Sequence, residues 1–171
     1  MAVLEFLKYP NPFLKKRALP VETVDGDIKG LIANMVDTMY AAKGIGLAAN
    51  QVGIDKRVVV LDVPDEENYQ RGKNLIALIN PEIVSSSGET TYEEGCLSIP
   101  GFTAEVRRFS QVKVKGLKGD GNPVEIEAEG LLAITLQHEI DHLNGILFID
   151  RLSRIKRDII KRKMKKVISG Q

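Results

Sequence analysis

Gln137-His138-Glu139-Ile140-Asp141-His142 is the stretch on which the reading of the whole chain turns. The 171 residues contain two histidines, and both are here, four positions apart. On a helix that spacing sets two imidazoles on one face, one turn apart, within reach of a single metal ion. Glu139 stands beside them, placed to handle protons. H-E-x-x-H on a helix is a metal-hydrolase signature: two ligands, and a carboxylate that serves an activated water. Such a site needs a third protein ligand, and the hexapeptide lacks one.

The helix carrying the motif is expected from about Gly130 to Leu143, largely buried through Leu131, Leu132 and Ile134, with Asn144-Gly145 as its stop. Downstream there is no further histidine and no glutamate, which leaves Asp150 and Asp158 as ligands on that side. Upstream, Cys96 is the chain's one cysteine, set in the polar, turn-rich run Glu93-Glu94-Gly95-Cys96-Leu97-Ser98-Ile99-Pro100-Gly101. Thiolate binds zinc or ferrous iron strongly. A buried cysteine acting as a small hydrophobe is the alternative, but EEG and PG on either side argue against a core strand. Cys96 is the stronger candidate. With His138 and His142 it would leave a fourth position for water, whereas Asp150 as third ligand would make the chain a zinc endopeptidase.

Working outward, the composition is that of a globular protein, 43% hydrophobic and 27% charged. No apolar run approaches the roughly 18 residues of a membrane span, and the N-terminus does not resemble a signal peptide. A cytoplasmic, monomeric chain folded as one domain over residues 1–171 is expected, and a lone cysteine agrees with a reducing compartment. The net charge of +1 is unevenly spread. From Arg151 onward nine Lys or Arg face Asp158 alone, a local charge of +8, while the first 150 residues carry −7. A basic end on an acidic body suggests an anionic partner for that end.

Phe13 to Arg17 is expected to make a short helical turn. A helix capped by Asp25 or Asp27 follows, with Ile28, Leu31, Ile32, Met35 and Met39 on its apolar face, ended by Gly44. In Gly44-Ile45-Gly46-Leu47-Ala48-Ala49-Asn50-Gln51-Val52-Gly53 the Gly-x-Gly-x-x-Ala pattern invites a dinucleotide reading, but a helix precedes it and a strand follows, the reverse of what that fingerprint needs. It reads instead as a loop whose backbone can approach a ligand and deliver the Gln51 amide. Strands are expected at Arg57–Asp62 and Leu75–Ile79, with a surface loop over 65–73, a break at Asn80-Pro81 and a loop over 85–89. Val112–Val114 and Val124–Ala128 alternate about the Asp120-Gly121 turn as a hairpin with one wet face. A last helix over about 153–168 is expected to bury Ile155, Ile159, Ile160, Met164, Val167 and Ile168. The class is α+β: small antiparallel sheets around a central HExxH helix, with a C-terminal amphipathic helix.

Three segments, GIGLAANQVG, EGCLSIPG and QHEIDHLNG, resemble in order and spacing the signature motifs of the bacterial peptide deformylases, and the layout is most similar to the type 1 form. The resemblance implies removal of the formyl group from N-formylmethionine of nascent chains, with one divalent metal per chain: Fe2+ in the cell, with Zn2+, Ni2+ or Co2+ able to occupy the site. It implies Gln51 and the Leu97 N–H as oxyanion donors beside Glu139 as the catalytic acid and base. Gly44, Ile45 and Gly46, with Leu131, Ile134 and the stem of His138, would then wall the methionine pocket, ordinary core packing being the alternative for the apolar ones. Arg107 or Arg108 could pair with Asp141 or Glu94 to support the ligands. Where some deformylases carry a basic residue after the cysteine motif, GFTAEV has none before Arg107. The basic helix would dock on ribosomal RNA through phosphate contacts. A non-catalytic RNA-binding protein with a structural metal is the remaining alternative; it needs a closed four-ligand site, and the chain offers three soft ligands.

Overall fold

A computed structural model describes residues 2–65 and 69–169; Glu66, Glu67 and Asn68 of the expected surface loop lie outside the described residues. In chain order the elements are α1 (Gly26–Ala41), β1 (Gly46–Ala48), β2 (Val58–Asp62), β3 (Leu75–Ser87), β4 (Thr90–Cys96), β5 (Ile99–Arg108), β6 (Gln111–Leu117), β7 (Pro123–Glu129), α2 (Gly130–Leu143) and α3 (Arg154–Ile168). Short 3-10 turns lie at Pro12–Lys15, Ala49–Val52 and Phe148–Arg151. β1, β2, β3, β6 and β7 form a five-stranded antiparallel sheet in that spatial order, and β4 and β5 form a separate hairpin. The α+β class holds.

β2 explains the layering. All five of its residues are buried, because both faces of the sheet are covered and a strand so placed need not alternate in polarity. Val59 and Leu61 pack with Ala133, Leu136, Ile140 and Leu143 of α2. Val58 and Val60 pack with Ile28, Met35 and Met39 of α1. Leu136 and Leu143 are fully buried, each worth about 1.5–3 kcal/mol by burial. Asp25 is the cap of α1, accepting from the Ile28 N–H at 3.1 Å.

Four expectations need correcting. Asn80-Pro81 does not end a strand: β3 runs on to Ser87 through register shifts after Ile79 and after Ile83, changing partner from β2 to β6. Asn80 takes a φ of 52° there, its side chain bracketing the Val21 backbone at 2.8 and 2.9 Å. A bulge absorbs the proline where a flat ladder could not. The expected loop over 85–89 shrinks accordingly, with Ser85–Ser87 paired to β6. The cysteine segment is more strand than turn: Cys96 ends β4, Leu97 and Ser98 alone make the turn into β5, and the polar residues before Cys96 face solvent on one side of the hairpin while Glu94 is buried. Finally, α3 buries only Met164 fully, with Ile160 half-buried beside it. Ile155, Ile159, Val167 and Ile168 are exposed. The helix lies at the chain's end, and the hairpin and the Phe148–Arg151 turn cover one narrow stripe of it.

Candidate active site

α2 supplies the histidines and Glu139, the end of β4 supplies Cys96, and the 3-10 turn after β1 supplies Gln51. The three donor atoms of Cys96, His138 and His142 lie within 4.8 Å of one another. His138 Nε2 is 3.2 Å from His142 Nε2, which is 3.3 Å from Cys96 Sγ. A tetrahedral ion with usual bond lengths spaces two imidazole nitrogens by about 3.3 Å and nitrogen from sulfur by about 3.6 Å. The donor set fits a divalent metal. Asp150, the rival third ligand, accepts from the Leu147 N–H at 2.9 Å and pairs with Lys15 instead.

His138 is oriented from behind: its Nδ1 meets Glu94 Oε1 at 2.8 Å, which turns Nε2 toward the other donors. Glu94 in turn takes both Arg108 Nε and Nη2 at 2.8 Å, and Arg108 Nη1 reaches Asp141 at 2.7 Å. Of the two arginines weighed from sequence, Arg108 is therefore the one that supports the site, while Arg107 pairs with exposed Glu89. Burial pushes the Glu94 pKa up, but the bonds from Arg108 and His138 outweigh it and hold the carboxyl below its ordinary value. For His138 burial acts downward, and hydrogen bonding to Cys96 and Glu94 carries it well above the ordinary imidazole value. His142 is driven down by burial and by its neighbour His138. The two Nε2 atoms face each other at 3.2 Å, close enough to serve one ion together.

Glu139 is 4% exposed, and its Oε1 has no hydrogen-bond partner among the described residues. Burial pushes its pKa up to about 7, against the opposing charge of His138. Gly46 lies against it: a Cβ there would sit 2.6 Å from Glu139 Oε2. Gly44 serves close approach too, with Leu97 Cδ1 at 3.2 Å from the corresponding point, while Lys43 supplies the positive φ after α1. Gln51 Nε2 is 3.4 Å from Cys96 Sγ and 3.2 Å from Ser98 Oγ.

A cleft of about 500 Å³ gathers the residues named from the sequence: Gly44, Ile45, Gly46, Gln51, Cys96, Leu97, Leu131, Ile134, His138 and Glu139 all line it. His142 sits beneath, 1% exposed. Sequence reasoning missed the outer wall of Tyr92, Phe102 and Thr103, which β-alternation along 90–108 could have flagged. It also missed Arg151, whose guanidinium grips Asp141 at 3.0 and 2.7 Å; nothing local marks that pairing.

Residues 3–158 match the family model described as polypeptide deformylase. This chain belongs to the polypeptide deformylase family. It is 54% identical to the peptide deformylase of Thermodesulfovibrio yellowstonii, with 96% of this chain and 98% of that one aligned. With that of Syntrophobacter fumaroxidans it shares 53% identity over 97% and 96%. Among solved structures, a peptide deformylase from Legionella pneumophila superposes with a TM-score of 0.89 at 47% identity over 99% of both chains. The Ehrlichia chaffeensis peptide deformylase in complex with actinonin superposes with 0.90 at 44% identity over 98% of both. Membership of the deformylase family makes the chain a metal-dependent hydrolase that removes N-formyl groups from peptides. No helix among the described residues is long and apolar enough to cross a membrane.

Proposed function

We infer that this cleft hydrolyses the formamide of N-formylmethionyl chain ends, with Cys96, His138 and His142 holding one divalent ion, Fe2+ in the cell. The observation that carries the reading is the convergence of an unpartnered buried carboxylate, a His-His-Cys donor set and a buried side-chain amide on one apolar cleft. A divalent ion held by Cys96, His138 and His142 would supply Lewis acidity and lower the pKa of water at the site toward neutrality.

The rest follows from the chain's own groups. Ile45, Leu131, Ile134 and the His138 stem receive the methionine side chain, which directs the formyl carbon toward the donors. Glu139, raised toward neutrality by burial, takes a proton from the attacking water and returns it to the departing amine. As the carbonyl becomes tetrahedral, the Gln51 amide and the Leu97 N–H donate hydrogen bonds to the developing oxyanion, each contributing about 3 kcal/mol of transition-state stabilisation. Glu94 and Arg108 keep His138 turned into the site.

The chain acts in the cytoplasm as a monomeric single domain, α3 included. Its exposed basic residues dock on ribosomal RNA, so binding falls steeply with salt, and a charge-neutralised α3 that cosediments with ribosomes as the parent does would overturn that part. The activity itself is tested by anaerobic formate release from formyl-Met-Ala with Fe(II)-loaded protein. Glu139→Ala should lose about a hundredfold or more in kcat with metal retained, and Cys96→Ser should lose the metal while Asp150→Ala keeps it. Retained metal in Cys96→Ser would overturn the assignment of Cys96 as a ligand.

A further inference from the structure

We propose that Ser98 is the positioning residue of the oxyanion site, its hydroxyl orienting the Gln51 amide while the N-terminal arm ties both donor-bearing segments together. The proposal rests on the reading of Gln51 as an oxyanion donor.

The terminal torsion of a glutamine is broad and has little preference of its own, so the aim of Gln51 must come from its partners. One partner sets the flip. The Ala48 N–H donates to Gln51 Oε1 at 3.0 Å, and exchanging the amide's oxygen and nitrogen would set a donor against a donor. Nε2 is thereby committed to the side of Ser98 and Cys96. The second partner sets the angle. Ser98 Oγ, fully buried, accepts from Nε2 at 3.2 Å. An amide nitrogen carries two hydrogens in one plane, about 120° apart; with one engaged by Ser98, the other is turned to the Cys96 side of the site, the edge of the donor set at which a reacting carbonyl would compete for it. Without the hydroxyl that plane is free to swing.

Ser98 also follows Leu97, the residue of the second donor, so its backbone position sets that N–H. The N-terminal arm holds it. The Leu7 N–H donates to the Gln51 carbonyl at 2.7 Å, and two residues on, the Tyr9 N–H donates to the Ser98 carbonyl at 2.8 Å. One short segment thus spans both donors and sets the distance between them. The same arm is anchored on α1, where the Leu4 N–H meets Thr38 Oγ1 at 2.8 Å. Removing a donor outright costs about 10²–10³ in kcat; loosening its aim should cost less, on the order of tenfold.

The test is a double-mutant cycle on the metal-loaded full chain with formyl-Met-Ala. Ser98→Ala should lower kcat about tenfold while KM and metal content stay within about twofold of the parent, and it should add almost nothing in a Gln51→Ala background. A Ser98→Ala protein with the parent's kcat, or a loss that persists undiminished when Gln51 is already gone, overturns the proposal. Full activity in Gln51→Ala alone would instead sink the oxyanion reading on which it stands. Should Ser98→Ala not fold, 15N relaxation of the zinc-loaded parent decides: the Gln51 side-chain amide should show an order parameter near that of rigid backbone, about 0.85, and a value below about 0.6 refutes the constraint.

Discussion

Replacing Arg108 by methionine should separate a supported metal site from an unsupported one. The guanidinium is 3% exposed, and its two carboxylate partners, Glu94 and Asp141, are 4% and 9% exposed. Removing one member of a buried pair costs about 3–5 kcal/mol, because the remaining charge is left without its partner. Here Glu94 keeps His138 and Asp141 keeps Arg151, so the lower end, about 3 kcal/mol, is expected. For a chain of this length that is a fall of roughly 6–12 °C in Tm. Metal affinity should drop by about tenfold, the low end for losing support behind a ligand.

The pH dependence carries the sign. In the parent Glu94 is held below its ordinary pKa, so its ionised form contributes stability above the carboxylate range, lost only as pH falls through the depressed value. Between pH 7 and 5 that contribution is constant. In Arg108→Met, burial acts on Glu94 with less opposition, its pKa rises, and protonation relieves part of the penalty. The Tm gap should therefore narrow from pH 7 to pH 5. Thermal unfolding of the metal-free proteins at both values, with chelator competition for zinc, measures all three effects. A Tm loss under about 2 °C, the size expected of an exposed pair, or a gap independent of pH would refute the reasoning.

Gly46→Ala should cut kcat at least tenfold with metal content unchanged, since the new Cβ would push Glu139 Oε2 from 2.6 Å and press on Thr135; parent-like turnover would show that the carboxylate can move aside freely. At Gly145, with φ of 76°, a Cβ would overlap the Lys15 carbonyl, so Gly145→Ala should cost more than about 1 kcal/mol of stability, and urea unfolding with an unchanged midpoint would contradict this.

Much of the site was legible because its chemistry is scarce and its spacing local. Two histidines four apart on a helix can converge on one ion whatever surrounds them, and a chain with one cysteine leaves few places to seek a third ligand. The helical periods of 26–41 and 130–143 and the alternation over 111–129 are likewise short-range signals, and the structure follows them. Tertiary structure decided what depends on partners far along the chain. Cys96 reads from the sequence as a ligand candidate on a polar segment, but the pairing of β4 with β5 does not, because the polar side of that hairpin faces water and masks the alternation. Which arginine meets Glu94 depends on which face of β5 is turned inward, since adjacent Arg107 and Arg108 point to opposite faces of the strand. The apolar residues of α3 satisfy a helical period, but a period says only that a face exists; what covers it is set by packing, and here the body reaches little beyond Ile160 and Met164. The hexapeptide at 137–142 thus determined by itself that two ligands and a carboxylate share one helix. Only the fold brought Cys96, Gln51 and Glu94 to it, since each must close a chain loop of more than 40 residues before any contact with that helix can form.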